Sequence, residues 1–309
     1  MKEKRKVSGW KKSFKKDWQI WVMLLPALIW VIVFCYTPMY GIQLAFRQYD
    51  FRKGLTGGNW EGLRYFKQYF TSPMFGTTIK NTFVIAFTSI IVGFSMPILL
   101  AIVINQLKRG KIRKVMQTVV YMPYFISTVV LVSMLTILCS PAHGVITDVL
   151  RALHIIGEST NLLGDSKTFV PVYVLSGVWQ SCGWNSIIYI AALSGVDAQL
   201  YDAARVDGAN RWQLIYHVDL PALVPTIIIL LIMSMGSVLS VGFEKTFLMQ
   251  NPLNMGVSEV IQTYVYKIGV VSNQISFSTA VGLFNNVVNF TCLMLVNYIA
   301  KKKADISLV

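Results

Sequence analysis

The sequence predicts an all-α integral membrane protein with six spans, and three observations carry that reading. Of 309 residues, 54% are hydrophobic and only 14% are charged. The charges cluster, leaving six runs of 24 to 33 residues without Asp, Glu, Lys or Arg: Trp18 to Phe46, Asn81 to Leu107, Val115 to Thr147, Thr168 to Val196, Leu220 to Phe243 and Ile268 to Ala300. A helix needs about 20 mostly apolar residues to cross a hydrocarbon core of about 30 Å, so each run supplies one. Lys and Arg also sort by side. With the N-terminus inside, 18 of them are cytoplasmic and 10 lie outside, although the outer segments are longer together. An even number of spans returns both termini to the cytoplasm.

The elements follow in order. Residues 1–17 form a basic tail in which Trp10, Phe14 and Trp18 recur every four residues, with Lys11, Lys12, Lys15 and Lys16 between them. That spacing suits an interfacial helix on an anionic leaflet; a flexible basic tail that only sets topology fits equally well. Span one, about residues 20–40, contains Pro26 and Pro38 as candidate kinks. It lacks a small-residue cleavage site, so it should stay as an anchor. The outer segment Gly41 to Lys80 is rich in rings, as an interfacial belt would be. Spans two and three, about 81–105 and 115–139, flank a short basic turn and contain Pro97 and Pro123. An outer loop then holds His143 and His154, which lack partners at metal-ligand spacing. Span four is expected at 169–194. Span five, at 222–243, has Ser234, Gly236, Ser237, Ser240 and Gly242 placed to let helices approach closely. Span six, at 277–300, precedes a basic tail, 301–309.

Between spans four and five lies a patterned polar stretch, residues 197–221. Asp197 is positioned to cap a short helix from Ala198 to Val206, and Gly208 to close it in a left-handed conformation. Asn210 can cap a second short helix through Trp212, Ile215 and Tyr216, which Leu220-Pro221 would end. Helix, glycine, helix, proline describes a compact knob, and the alternation of spans puts it in the cytoplasm.

Asp202-Ala203-Ala204, then Asp207-Gly208-Ala209, then Leu220-Pro221 resembles the "EAA" loop of binding-protein-dependent ABC importer permeases, in the form found in sugar importers. Asp202 departs from the family's usual Glu, keeping the charge on a shorter stem. Thr37-Pro38-Met39-Tyr40-Gly41 and Trp60-Glu61-Gly62-Leu63 resemble the polysaccharide-type subgroup. The resemblance implies a type I ABC importer permease fold in a bacterial cell membrane, with a cytoplasmic coupling helix that seats in a separate ATPase subunit. It also implies a second homologous permease, an ATP-binding cassette ATPase dimer, and an extracytoplasmic solute-binding protein, or lipoprotein, met by the Gly41–Lys80 surface.

The chemistry is consistent with this. No G-x-x-x-x-G-K-[ST] phosphate loop occurs and the spans hold no ionisable residue, so energy must arrive through a contact. The chain itself is expected to bind no cofactor, with ATP and Mg held by the partner ATPase. The net charge of +14 reads as a topology and lipid signal and not as nucleic-acid binding, because no soluble basic domain exists. Cys35, Cys139, Cys182 and Cys292 share no short spacing and read as buried small apolar residues. Neither a metal site nor a nucleophile–base pair is visible. Trp179, Gln180, Asn185, Tyr189, Asn285, Asn286 and Asn289 offer the amides and flat rings that a sugar path wants, and each amide could instead be an interhelical hydrogen bond. The reading is a permease subunit for oligosaccharide or carbohydrate import, and not an enzyme. A secondary carrier is the alternative in class, and acidic polysaccharide fragments the alternative cargo.

Overall fold

The structure is a computed structural model that describes residues 18–55, 58–107 and 110–304. The N-terminal tail and the last five residues lie outside these, so the interfacial-helix reading of Trp10 and Phe14 does too. The long helices are α1 (Trp18–Ala45), α2 (Pro73–Gln106), α3 (Lys111–Phe125), α4 (Thr128–Leu138) and α5 (Phe169–Ser194). The short helix α6 (Ala198–Val206) follows, then α7 (Arg211–Met235), the short α8 (Phe243–Met249) and α9 (Ile275–Ala304). No named strand occurs among the described residues.

Four of these helices, α1, α2, α7 and α9, are long and apolar enough to cross a bilayer, and α3 with α4 makes a fifth crossing if the bent pair is one span. The fourth expected span, α5, has its expected bounds and 26 residues but is more polar than the others. It is packed along α2, and of its amides Gln180 bonds to protein while Asn185 stays exposed. Among the described residues four helices, or five with the bent pair, have both the length and the apolarity of a span, and α5 has the length alone.

The third expected span is not one helix. α3 and α4 meet at 92°. Pro123 tightens the end of α3 into a 3-10 turn, Ile126 turns extended, and the Ser127 hydroxyl caps α4 by accepting from Val130 N. The break frees the Ile126 carbonyl, which accepts from Gln180 Nε2 at 2.7 Å. At the same junction α5 runs so close to α3 that a Cβ on Gly183 would sit 1.9 Å from the Val120 carbonyl oxygen.

Other boundaries move for stated reasons. α2 starts eight residues before Asn81, because Ser72 caps it and Pro73 occupies the first turn, where a missing N–H costs nothing. The second knob helix does not end at Pro221. It continues into the span as α7, because a π turn at Ile215–Asp219 precedes the proline, with Leu220 N donating to Ile215 O. α1 does the same: a π turn at Ile32–Tyr36 precedes Pro38, with Thr37 N donating to Ile32 O. A widened turn accommodates the ring and the lost donor that would otherwise break a helix. α7 stops at Met235, so Gly236, Ser237, Ser240 and Gly242 form a turn and not a helix face. Cys35 is exposed on α1, contrary to expectation, while Cys139 is buried.

Two packed clusters hold the bundle. One joins Ile85, Leu131, Phe169, Tyr173, Leu239, Val260, Ile261 and Phe277; the other, farther along α2, joins Ala101, Ile104, Tyr189, Leu193 and Leu223. The segment between α8 and α9 is pinned to the first cluster by polar bonds: Asn81 Nδ2 donates to the Gly256 and Glu259 carbonyls, and Ile261 N donates to Thr82 Oγ1. Buried Glu259 pairs with Lys267 at 2.6 Å. α1, by contrast, has no buried residue from Trp18 to Tyr40.

Gly183→Ala should lower the melting temperature of the detergent-solubilised protein, by a destabilisation of about 1–3 kcal/mol, the usual penalty for overpacking. An unchanged midpoint on thermal size-exclusion would mean that α3 and α5 do not touch as described.

Candidate functional site

The knob forms as its residues dictate. Asp197 caps α6 by accepting from Gln199 N at 3.0 Å. Beyond α6, Gly208 adopts φ +81°, letting its N–H reach Arg205 O and the Ala209 N–H reach Ala204 O. That pair of bonds is the Schellman closure, which only glycine adopts without strain. Asn210 and Gln213 then form a reciprocal capping box at the start of α7. Asp202 pairs with Arg205 at 3.3 Å on the exposed surface, and Asp207, Ala203 and Gly208 are exposed as well. Ala204, Ala209 and Leu220 are half-buried, with Pro221 exposed beside them.

What fixes the knob to the spans is a residue the sequence reading did not single out. Asp219, fully buried in the π turn of α7, accepts from Tyr201 OH at 2.6 Å, from Gln106 Nε2 at 2.8 Å and from Asn105 Nδ2 at 3.2 Å. One carboxylate thus joins α6, the end of α2 and the start of α7. Burial, and then the Asp219 carboxylate, push the Tyr201 hydroxyl up to about 12, so it stays a donor at physiological pH. The available signal was position: Asp219 is the charge that bounds the fifth apolar run.

The expected path residues do not converge. Asn185 lines a cavity of ≈ 370 Å³ between α2, α5 and the turn after α7, together with Ser89, Ser181, Ser237 and Lys245. Asn285 and Asn286 line a second cavity of ≈ 510 Å³, between α9 and the segment before it. Gln180 is spent on Ile126, and Asn289 accepts from Leu239 N at 2.8 Å and donates to Ser240. Those two amides are interhelical bonds. Tyr189 is buried in the second cluster, and Trp179 is exposed. The first cavity lies along α2 at Ser89 to Gly93, between the two packed clusters. Lys245, just beyond the expected end of span five, is 8% exposed and lines that cavity.

Residues 93–305 match the family described as the binding-protein-dependent transport system inner membrane component. The chain belongs to this family. Membership decides against a secondary carrier. Among relatives of this permease, Protein LplB of Bacillus subtilis (strain 168) is 37% identical over 294 residues, covering 95% of this chain and 92% of the relative. The polygalacturonan/rhamnogalacturonan transport system permease protein YteP of the same strain is 40% identical over 283 residues, covering 92% and 88%. Among solved structures, a chain of a bacterial ABC transporter involved in the import of the acidic polysaccharide alginate matches with a TM-score of 0.86 and 37% identity, over 95% of this permease and 98% of that chain. The same alginate transporter has been solved in complex with its alginate pentasaccharide-bound periplasmic protein, and it matches equally well, covering 96% and 99%. The permease is a multi-pass membrane component of binding-protein-dependent ABC transport, and its expected fold stands.

Tyr201→Phe should cost about 1–2 kcal/mol in thermal unfolding and much less in an Asp219→Asn background, since hydrogen bonds to charged groups couple in this way. Because the tyrosine's folded pKa is raised, its contribution is complete below about pH 10, the unfolded value, and is lost as pH rises through about 12. Additive losses in the double variant would remove the latch.

Proposed function

We propose that this permease is one of two membrane subunits of an ATP-driven importer of oligosaccharides, and that residues 197–221 dock on a separate ATPase dimer holding ATP and Mg. The observation that carries this is the knob itself. It is capped and closed at every terminus, yet it exposes Leu200 (56%), Val206 (87%), Trp212 (79%) and Tyr216 (68%). A rigid element with an apolar outer face suits a partner groove, and the Asp219 latch makes it move with α2 and α7. In this reading Asp202, Ala203, Ala204, Asp207, Gly208, Ala209, Leu220 and Pro221 form the coupling loop, both termini are cytoplasmic, and the chain performs no hydrolysis.

α1 supports a second permease, since from Trp18 to Tyr40 it gives its own bundle no buried residue and leaves that length free to pack elsewhere. The aromatic outer surface supports a solute-binding protein. Phe46 stacks on Trp60 at 5.7 Å, with the Arg47 guanidinium over the same ring, while Phe51, Trp60 and Leu63 stay exposed. Sugar cargo is supported by the relatives and by a cavity offering hydroxyls and an amide. A second reading, an acidic polysaccharide fragment, is favoured by the names of YteP and of the alginate transporter.

Gly208→Val forces a β-branched residue into left-handed backbone, a strain of about 1–3 kcal/mol. The variant should reach the membrane in normal amount while uptake falls about tenfold or more at undiminished ATP hydrolysis. Normal uptake at matched expression would rule out the coupling role.

A further inference from the structure

We propose that Lys245 binds a carboxylate of the cargo, which makes the cavity between α2, α5 and the turn after α7 a site for acidic sugar units. The inference deepens the import reading above and rests on it.

Lys245 sits on α8 with 8% of its surface exposed. Its ammonium donates to the Tyr173 carbonyl at 2.7 Å and lies 4.6 Å from the centroid of the Tyr173 ring. An ammonium has three donors, and this arrangement uses one. No carboxylate stands within 4.0 Å of it among the described residues. The acids nearby are accounted for: Glu244, its chain neighbour, is exposed, and buried Glu259 is taken by Lys267. No Asp or Glu lines the cavity. A desolvated cation without a counter-ion is costly unless something anionic completes it, and here the cation lines a chamber of ≈ 370 Å³ in which serines and an asparagine are set among apolar side chains, a volume in the range of small-molecule sites.

The chamber also suits the rest of a uronate. Ser181, Ser234, Ser237 and Ser240 supply hydroxyls, Asn185 an amide, and Tyr173 a ring face. Tyr173 lies four residues into α5 and Asn185 twelve farther along, so Lys245 marks the end of the chamber away from the coupling helix. Cargo delivered from the outer side would meet the cation first. The ordinary structural alternative is that the ammonium only pins the Tyr173 carbonyl.

The test uses the purified assembly of permeases and ATPases without binding protein, probed by equilibrium binding of labelled trigalacturonate and of its neutral methyl ester. Lys245→Met should weaken trigalacturonate about tenfold or more, the size of one charge-assisted hydrogen bond in a dry site, and leave the methyl ester within about twofold. Lys245→Arg should retain most of the trigalacturonate binding. Unchanged trigalacturonate binding in Lys245→Met overturns the inference, as does an equal loss of both ligands, which would mark a structural role. Preference of the unaltered assembly for the methyl ester also overturns it and leaves carbohydrate import standing. Binding of no carbohydrate at all would remove both.

Discussion

One buried carboxylate, that of Asp219, ties the knob to two of the long helices. It is fully buried and its partners are one phenol and two amides, which come from a separate short helix and from the far end of a 34-residue one. A buried charge of this kind persists only if its acceptor sites are filled, so the three donors are held as firmly as the acid is. α6 is consequently tied to both long helices at its first turn. Displacement of α6 is displacement of the ends of α2 and α7, and from Asn105 the motion has about 35 Å of α2 to travel before it reaches Thr82, at 1.5 Å per residue.

The architecture along that axis has two tight ends and a soft middle. The packed cluster near Leu193 and Leu223 anchors the knob end, and the larger one around Phe169 and Val260 anchors the other. Between them, serines, glycines and an asparagine interrupt aliphatic residues such as Ile90 and Val178 around a chamber. Interiors packed at crystal density shift between discrete arrangements more readily than they deform. A chamber between two such blocks is where relative motion of the blocks changes shape most.

Wherever local chemistry decided structure, the sequence was a sufficient guide. The Asp197 cap, the left-handed Gly208 and the Asn210 cap all stand where residue types alone put them, and α5 has its expected bounds. Readings failed where two distant segments decide together. Nothing local says that a glutamine on α5 will hold the carbonyl freed at Ile126, so the break between α3 and α4 was read as one span. Pro221 looked like a terminator because proline removes a helix donor and crowds the preceding turn, which a widened turn relieves here. Ser72-Pro73, a legible start signal, was passed over because Lys80 seemed to bound the apolar run. The dispersal of the expected path residues was not legible for a related reason: whether an amide faces a neighbouring backbone or a chamber depends on helix rotation, which a single α-helical period fixes poorly in an all-round apolar segment.

The π turn at Ile215–Asp219 deserves to be seen as a phase correction. It is one residue more than an α-helix would use, and one residue is about 100° of rotation. Loss of one position between Arg211 and Asp219 lets the turn relax to ordinary winding with the flanking faces still in phase, whereas an added position finds the wide turn already filled and rotates everything before it by more than a quarter of a circle, carrying Tyr201 away from its acid. The segment therefore tolerates shortening by one residue better than lengthening.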